Sequence, residues 1–500
     1  MGSTQTTRRA FLTGAAATVT TPLFAQAPER SLRPRLRPAT FVRDASHEIQ
    51  SLIDASGLTG DVSFVVSDAF TGEILEKRAH LRAMPPASTA KAVTALYAID
   101  KLGAGHRYRT QLIGTGTLRN GILDGDLILV ASSDPVLDTD DLGAMAEGLK
   151  ASGVNAVNGR FLVVPGPVQT TRVIDPGQPD QVAYNPSLGG LNLNFNRVHF
   201  EWKRADQGHA ITMQARSVRY RPEVTTSRME VQDRNGAVFT YEDRAGVDYW
   251  TVAKSALGRN GARWLPVRDP FSYATEVFRT VARSFGIELK PAERIASLPS
   301  DGVMLYEHVG APMTDLVSGM LEFSTNLTAE VLGQSATARW RGRSGGITGS
   351  ASAMSDWANG QTRSRRARFV DHSGLGPETD ITARDMAAIL THGGPQGALP
   401  DLMKPWYFRT DNGGQDRNNP VRIAAKTGTL NFVSALAGYV LPPGGRAMTF
   451  AILTSNEDER RSIPREAREN PRGARPWARR SRRLQDQLLK RWTDAFAELS

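Results

Sequence analysis

The hydrophobic pattern divides the chain into three stretches of different character. Near the start, a short helix is predicted over 47–55, ended by Gly57. The run Val62-Ser63-Phe64-Val65-Val66 reads as a buried strand, Thr71-Gly72 as a turn, and 73–78 as the return strand, stopped by Pro85-Pro86. Over 88–102, Ala, Val and Leu recur at helical spacing until Gly103. From about Thr110 to Pro291 the pattern changes: short strands such as Leu127-Ile128-Leu129-Val130 and Arg160-Phe161-Leu162-Val163-Val164 alternate with Gly, Asp and Pro turns, and helix signals are sparse. This middle stretch reads as a β-rich module inserted into another domain. Helical spacing returns over 275–285, 312–323 and 327–341. Three strands are predicted over 422–429, 433–441 and 448–455, the last two joined by Pro442-Pro443-Gly444-Gly445. An amphipathic helix over 484–499 closes the chain, placed to pack on the first strand. There is no internal repeat.

Composition narrows the function classes. At 500 residues, 40% hydrophobic and 22% charged, the chain can bury a large core, which excludes collagen, coiled coil and wholesale disorder. With no cysteine there is no disulfide, thiolate nucleophile or cysteine-based metal site. The eight histidines show no H-E-x-x-H and no paired metal spacing, so a zinc hydrolase is not expected. The net charge of +10 is localised: Arg8 and Arg9 precede every acid, the segment 460–483 holds ten Arg against two Glu, and the remainder is neutral. A nucleic-acid enzyme usually spreads its basic residues over the folded face that grips phosphate, so no nucleic-acid partner is expected. The later basic segment reads either as attraction to an anionic surface or, preferred here, as a solvated Arg-rich tail.

The N-terminus carries Thr6-Thr7-Arg8-Arg9-Ala10-Phe11-Leu12, an uncharged run of small residues to Leu23, and Ala25-Gln26-Ala27. A charged start, a short apolar run and an A-x-A signal in that order predict an export signal over 1–27, and the Arg pair followed by Phe-Leu resembles the twin-arginine type. Pro28 argues against cleavage immediately after Ala27, which leaves the cleavage site open.

Three polar signatures could carry chemistry. Ser88-Thr89-Ala90-Lys91 opens a predicted helix, and the spacing puts Ser88 and Lys91 on one face, a turn apart. A serine hydroxyl attacks well only when a neighbour takes its proton, which a lysine can do if its pKa falls from about 10.4 towards neutrality. The plainer reading is an N-cap serine followed by a surface lysine. Ser324-Thr325-Asn326 lies between two helical stretches, where a polar turn is the plainer reading. Lys426-Thr427-Gly428-Thr429 lies in a predicted strand, and its Gly would let another backbone or a ligand come close.

Taken in order, S-x-x-K, S-x-N and K-T-G on helix, loop and strand are the set of the penicillin-recognising serine enzymes. The sequence resembles one branch of them, the D-alanyl-D-alanine carboxypeptidase/endopeptidase family of class C low-molecular-mass penicillin-binding proteins. Ser133-Asp134-Pro135-Val136-Leu137 and Asp371-His372-Ser373-Gly374-Leu375 are similar to two further segments of that family, and the long interval between Ser88 and Ser324 suits its inserted domains. Asp is common where Thr325 stands, a mild departure at a side chain that is not the main catalytic donor.

The resemblance implies an α+β fold: a β-lactamase/transpeptidase-like domain, in which an antiparallel sheet is flanked by helices, with a large β-rich insertion between the first two motifs. The expected division is a signal over 1–27, transpeptidase-like parts over 28–110 and 291–455, an insert over 111–290, and an Arg-rich segment with a C-terminal helix over 456–500. It implies acyl transfer from D-Ala–D-Ala stem peptides of peptidoglycan, no cofactor and no metal, β-lactams as covalent inhibitors, and a periplasmic location with peripheral membrane or cell-wall association. Ser88 would be the nucleophile, Lys91 its base, Ser324 a proton relay beside Lys426, and Asn326 a holder of the substrate amide. Thr427, Gly428 and Thr429 would bind the substrate, with Thr427 and Thr429 on its terminal carboxylate, and the N–H groups of Ser88 and Thr429 would stabilise the oxyanion. A second cation near Lys91 would lower its pKa, which assigns that task to Lys426.

Three decoys and three rival functions stand against this reading. Gly342-Arg343-Ser344-Gly345-Gly346 matches the α/β-hydrolase elbow but lacks a preceding strand, so it reads as a loop. Asp371, His372 and Ser373 are adjacent and cannot form a triad on themselves; they are expected in a loop near the cleft rim. Trp202, Trp250 and Trp264 read as core rather than as sugar-stacking residues. The rivals are a β-lactamase, for which no E-x-x-L-N-like loop is found, a penicillin-binding sensor or scaffold that acylates without turnover, and a nucleic-acid or membrane-surface protein acting through the basic segment.

Overall fold

The computed structural model describes residues 39–362, 366–410, 412 and 414–496; the proposed export signal over 1–27 lies outside them. The chain divides between Ser51 and Leu52. In the first unit the described residues are the opening of a helix, Ala39–Ser56, longer than the 47–55 expected from the sequence. All that follows concerns the second unit.

Its central sheet has six strands in the order Pro405–Trp406, Arg422–Leu430, Val433–Leu441, Met448–Ser455, Asp61–Asp68 and Ile74–Arg78, every neighbouring pair antiparallel. The first strand of the chain thus lies beside the last, Val62 opposite Thr454 and Val66 opposite Phe450. The middle strands are buried on both faces, which explains why they read as continuous apolar runs. Alternate residues point to opposite sides. Val65, Ala451 and Leu453 join the core formed with the helices Ala90–Leu102, Asn326–Arg341 and Ala383–Gly393. Phe64 and Phe450 face the other way, onto Trp492 of the C-terminal helix, with ring centroids 5.6 and 6.1 Å away. That helix is Ala474–Phe496, starting ten residues before the expected position. Its Trp492 Nε1 donates to Glu76 on the edge strand at 2.7 Å, beside an Arg491–Glu76 ion pair at 3.0 Å.

A second core gathers around a five-stranded sheet ordered Ala292–Arg294, Phe161–Val164, Leu127–Val130, Arg107–Gly114 and Val303–Pro312, with further three-stranded sheets. The fold is therefore α+β, and the middle of the chain is rich in strands. It also holds two helices, Thr139–Ala151 and Pro270–Ser284. The first was hidden by Gly143 and Gly148, which lower helix propensity. Both are required by packing, since a Cβ at either would overlap a ring, Tyr220 or Tyr306. The middle stretch is not sealed off from the first core: Val168, Ile174 and Leu188 are buried there among the helices that carry the serine and lysine motifs. Of the three tryptophans, Trp250 is fully buried, Trp202 stacks on Phe200 and Trp264 meets His199 edge-on.

Candidate active site

The first motif does not begin a regular helix. Ala87–Thr89 is a single 3-10 turn that runs into the helix Ala90–Leu102. Ala87 sits at φ 47°, a left-handed conformation that L-residues rarely adopt and that tertiary contacts must hold. Two glycines supply the room for it. A Cβ at Gly374 would overlap the Ala87 carbonyl oxygen, and a Cβ at Gly428 would lie 2.6 Å from the Pro86 carbonyl and 3.1 Å from the Ser88 nitrogen. The D-x-S-G-L loop and the K-T-G strand therefore clamp the serine turn from two sides.

Lys91 is fully buried, which overturns the surface-lysine reading. Its Nζ lies 3.0 Å from Ser88 Oγ, 2.7 Å from Asn326 Oδ1 and 2.7 Å from the Ser373 carbonyl. Burial, and then the positive charge of Lys426, push its pKa down to about 7, against the opposing pull of Asp371 and Glu330. At that value the neutral amine is well populated at neutral pH. It can keep two N–H donations, to Asn326 and Ser373, and turn its lone pair towards the Ser88 hydroxyl.

The second motif joins two helices. Ser324 takes the left-handed cap position after Met313–Phe323, and Asn326 opens Asn326–Arg341. Lys426 Nζ donates to Ser324 Oγ at 3.0 Å and to the Thr427 carbonyl at 2.8 Å. Burial and the nearby Lys404 push the Lys426 pKa down to about 8, with Glu322 opposing. Asn326 donates its Nδ2 to the Tyr184 carbonyl at 2.8 Å, so both ends of its amide are occupied. Three motifs far apart in the sequence thus meet at one site in two hydrogen-bonded sets, Ser88 and Asn326 on Lys91 and Ser324 on Lys426, with Lys426 close enough to Lys91 for its charge to be felt there.

The cluster opens into a cleft of about 840 Å³ lined by Ser88, Ser324, Asn326 and Thr429. Thr427 is exposed on the same strand, while Gly428 is buried against the serine turn and contributes clearance rather than a contact surface. Asp371, His372 and Ser373 are not at the rim, as the sequence suggested, but buried beneath Lys91. The reason is their hydrogen bonding. The Glu330 carboxyl accepts from the His372 and Ser373 nitrogens at 3.1 and 2.8 Å, and Asp371 accepts from the Gly374 nitrogen at 2.8 Å. Burial, and then the charge of Asp371, push Glu330 up to about 8. His372 is sealed in beside Ser350, 2.7 Å from its Nε2, and burial lowers its pKa to about 3, so it stays neutral.

Sequence reasoning missed Glu330. A lone acid one helical turn after Asn326, inside an apolar run, was the available signal. Gly342–Gly346 is a link between two helices, with Gly342 as the left-handed cap. Ser133 and Asp134 are buried in the strand-rich part, where Ser133 Oγ accepts from the Val168 nitrogen at 3.2 Å. The basic segment is not a solvated tail. Its helix Ala474–Phe496 packs on the sheet, and Arg460, Arg468, Arg475, Arg479 and Arg482 line the same cleft as Ser88. Asn431, just after the K-T-G strand, holds the segment through a 2.7 Å bond to the Arg468 carbonyl. No cluster of three or more His, Asp or Glu suited to a metal occurs among the described residues, and none of their helices is long and apolar enough to cross a membrane.

Residues 45–470 match the D-Ala-D-Ala carboxypeptidase 3 (S13) family. A D-alanyl-D-alanine carboxypeptidase from Actinomadura sp. (strain R39) is 26% identical over 476 residues, covering 88% of this chain and 86% of that protein. The crystal structure of penicillin-binding protein 4 (dacB) from Haemophilus influenzae superposes with a TM-score of 0.69 at 20% identity, covering 88% of this chain and 99% of that one. The same protein complexed with a novel β-lactam gives a TM-score of 0.67 at 18% identity, with the same coverage.

Proposed function

This chain belongs to the D-Ala-D-Ala carboxypeptidase 3 (S13) family and is a serine-type carboxypeptidase, and on that premise we propose that Ser88 is its nucleophile and the D-Ala–D-Ala terminus of peptidoglycan stem peptides its substrate. One observation carries the reading: a fully buried amine with a pKa near 7, 3.0 Å from a hydroxyl that opens onto a cleft. Lys91 takes the Ser88 proton as Oγ attacks the penultimate D-Ala carbonyl. The N–H groups of Ser88 and Thr429 stabilise the developing oxyanion. Ser324, held by Lys426, passes a proton to the leaving amine of the terminal D-Ala, and water then hydrolyses the ester to regenerate Ser88. Thr427 and Thr429 receive the terminal carboxylate. Asn326 positions the substrate amide, for which its Nδ2 must leave the Tyr184 carbonyl. A β-lactam enters the same path and stops at the acyl-enzyme.

The proposal extends to organisation and place. The catalytic part is assigned to 28–110 and 291–455 and the insert to 111–290, but Arg107–Gly114, Ala292–Arg294 and Val303–Pro312 lie in the insert's five-stranded sheet, which moves the junctions to about 106 and 313, and the 168–188 stretch returns to the catalytic core. The Arg8-Arg9 signal directs export by the twin-arginine route to the periplasm. The test is mass spectrometry after incubation with penicillin, together with D-Ala release from a D-Ala–D-Ala peptide. A single adduct on Ser88, absent in Ser88→Ala, with D-Ala released by the unsubstituted enzyme, is the expected result. Adduct formation without release would make the protein a penicillin-binding sensor or scaffold instead.

A further inference from the structure

The strand-rich insert reaches the catalytic site through one irregular loop. Thr171 and Leu188 pair in an isolated bridge, and between them the chain forms no helix or strand. Yet this stretch supplies the Tyr184 carbonyl that accepts from Asn326 Nδ2 at 2.8 Å. A segment outside helix and sheet must satisfy its main-chain groups some other way. Two buried side chains do so here. Asn185, within the loop, accepts from the Ile174 and Asp175 nitrogens at 3.0 and 2.9 Å and donates to the Asp175 carbonyl at 2.8 Å. Arg268 comes from outside it. It is 3% exposed and lies between the strand Asn260–Pro266 and the helix Pro270–Ser284, whose first turn Asp269 caps. Its guanidinium donates to three loop carbonyls, those of Arg172 at 3.1 Å, Asn185 at 2.9 Å and Asp180 at 2.6 Å. Its own backbone nitrogen is anchored on the buried Asp248 at 2.9 Å. On the outer side the loop meets the cleft wall formed by the segment after the last sheet strand. There Arg465 pairs with Asp180 at 2.9 Å, and Arg468 donates to the Gly177 carbonyl at 2.7 Å.

A carboxamide is nearly symmetrical in shape but not in chemistry: one end accepts and the other donates. With the Tyr184 carbonyl in place, the NH2 of Asn326 faces that carbonyl and its Oδ1 accepts from Lys91 at 2.7 Å. Turned over, the NH2 would point at the lone pair that Lys91 must offer to Ser88. The position of one loop carbonyl therefore decides which way round the amide sits. We propose that Arg268 is a positioning residue of the acylation step: by pinning the loop it keeps the Tyr184 carbonyl against Asn326 and fixes that amide with its oxygen towards Lys91 before substrate arrives. Substrate then replaces one acceptor of Nδ2 by another, and the amide keeps its orientation. A charged donor buried against three carbonyls holds them more firmly than the exposed ion pair at Asp180 holds the loop from outside. This rests on the pairing of Ser88 with Lys91 given above, and it gives the insert a share in orienting the catalytic lysine.

The experiment measures D-Ala release from a D-Ala–D-Ala peptide and the second-order rate of acylation by benzylpenicillin, across pH, for the unsubstituted enzyme, R268K and R268A. Lysine keeps the charge but not the planar fork that reaches three carbonyls. Arg268→Lys is expected to lower kcat/KM and the acylation rate by about 10–10²-fold while kcat changes less than about threefold, because bound substrate orients Asn326 by itself. The acidic limb of the acylation profile should move to lower pH, since an overturned amide no longer accepts from charged Lys91, while Lys426, Asp371 and Glu330, the other charges that Lys91 feels, are untouched. Guanidinium ion should restore part of the rate lost in R268A, and an equal concentration of sodium chloride should not. Arg465→Ala, which removes only the exposed tether at Asp180, should stay within about threefold of the unsubstituted enzyme. Should the alanine variant not fold, R268K decides the matter. Unchanged rates in R268K, or losses shared equally by kcat and kcat/KM with an unmoved acidic limb, would overturn the assignment of Arg268 alone. Neither acylation nor D-Ala release by the unsubstituted enzyme would overturn the Ser88 reading and this proposal with it. Acylation without release would overturn the hydrolase reading and leave the acylation arm to decide on Arg268.

Discussion

The floor and the outer wall of the cleft use positive charge in opposite ways. On the floor, Lys91 and Lys426 are buried, Lys91 with three hydrogen-bond partners and Lys426 with two, and burial together with a neighbouring cation brings their pKa values to about 7 and about 8. On the wall, Arg475, Arg479 and Arg482 are exposed and have no hydrogen-bond or ion-pair partner among the described residues. Burial converts a cation into a base; exposure leaves it as a field. The floor therefore acts over one hydrogen bond and is insensitive to salt, whereas the wall acts over a Debye length and is screened.

Removing the floor's chemistry is the harshest way to break this contrast. Ser88→Ala should abolish both the penicillin adduct and D-Ala release, and Lys91→Ala should lower the acylation rate by about 10²–10⁴-fold, measured by single-turnover kinetics. Next in size is Gly374→Ala. The added methyl overlaps the Ala87 carbonyl and should lower acylation by on the order of 10²-fold by displacing the serine turn, while Gly319→Ala, inside the helix Met313–Phe323 with open space around it, should retain the acylation rate.

The third test sharpens the pH side. Neutral Lys91 and protonated Lys426 are required together, so kcat/KM should fall as pH drops below about 7 and again as it rises above about 8. Lys426→Ala removes a neighbouring charge, so the Lys91 pKa rises and the acidic limb of the acylation profile moves to higher pH. An unmoved limb would leave burial as the whole cause. The fourth test concerns scaffold rather than chemistry. Trp492→Ala empties the contact with Phe64 and Phe450 and should cost about 3–5 kcal/mol in denaturant unfolding.

What the sequence made legible follows the same division. The S-x-x-K, S-x-N and K-T-G motifs could be read because each carries its meaning in local spacing, and because buried strands such as Val433–Leu441 leave continuous apolar runs. The strained Ala87, the glycine clearances and the Glu330 support could not, since each depends on which distant backbone lies alongside. The helix Thr139–Ala151 escaped for the same reason, its glycines being a response to Tyr220 and Tyr306. The basic segment was misjudged because charge density alone does not say whether an arginine faces bulk water or a cleft.

The 2.8 Å bond between Asn326 and the Tyr184 carbonyl, with Val168, Ile174 and Leu188 buried nearby, bears on any attempt to trim the protein. A minimal enzyme made by excising 111–290 wholesale would delete a partner of a motif side chain and open three voids in the core beneath it. Shortened versions should keep 166–188 as a bridging strap and take their cuts from the sheets beyond it.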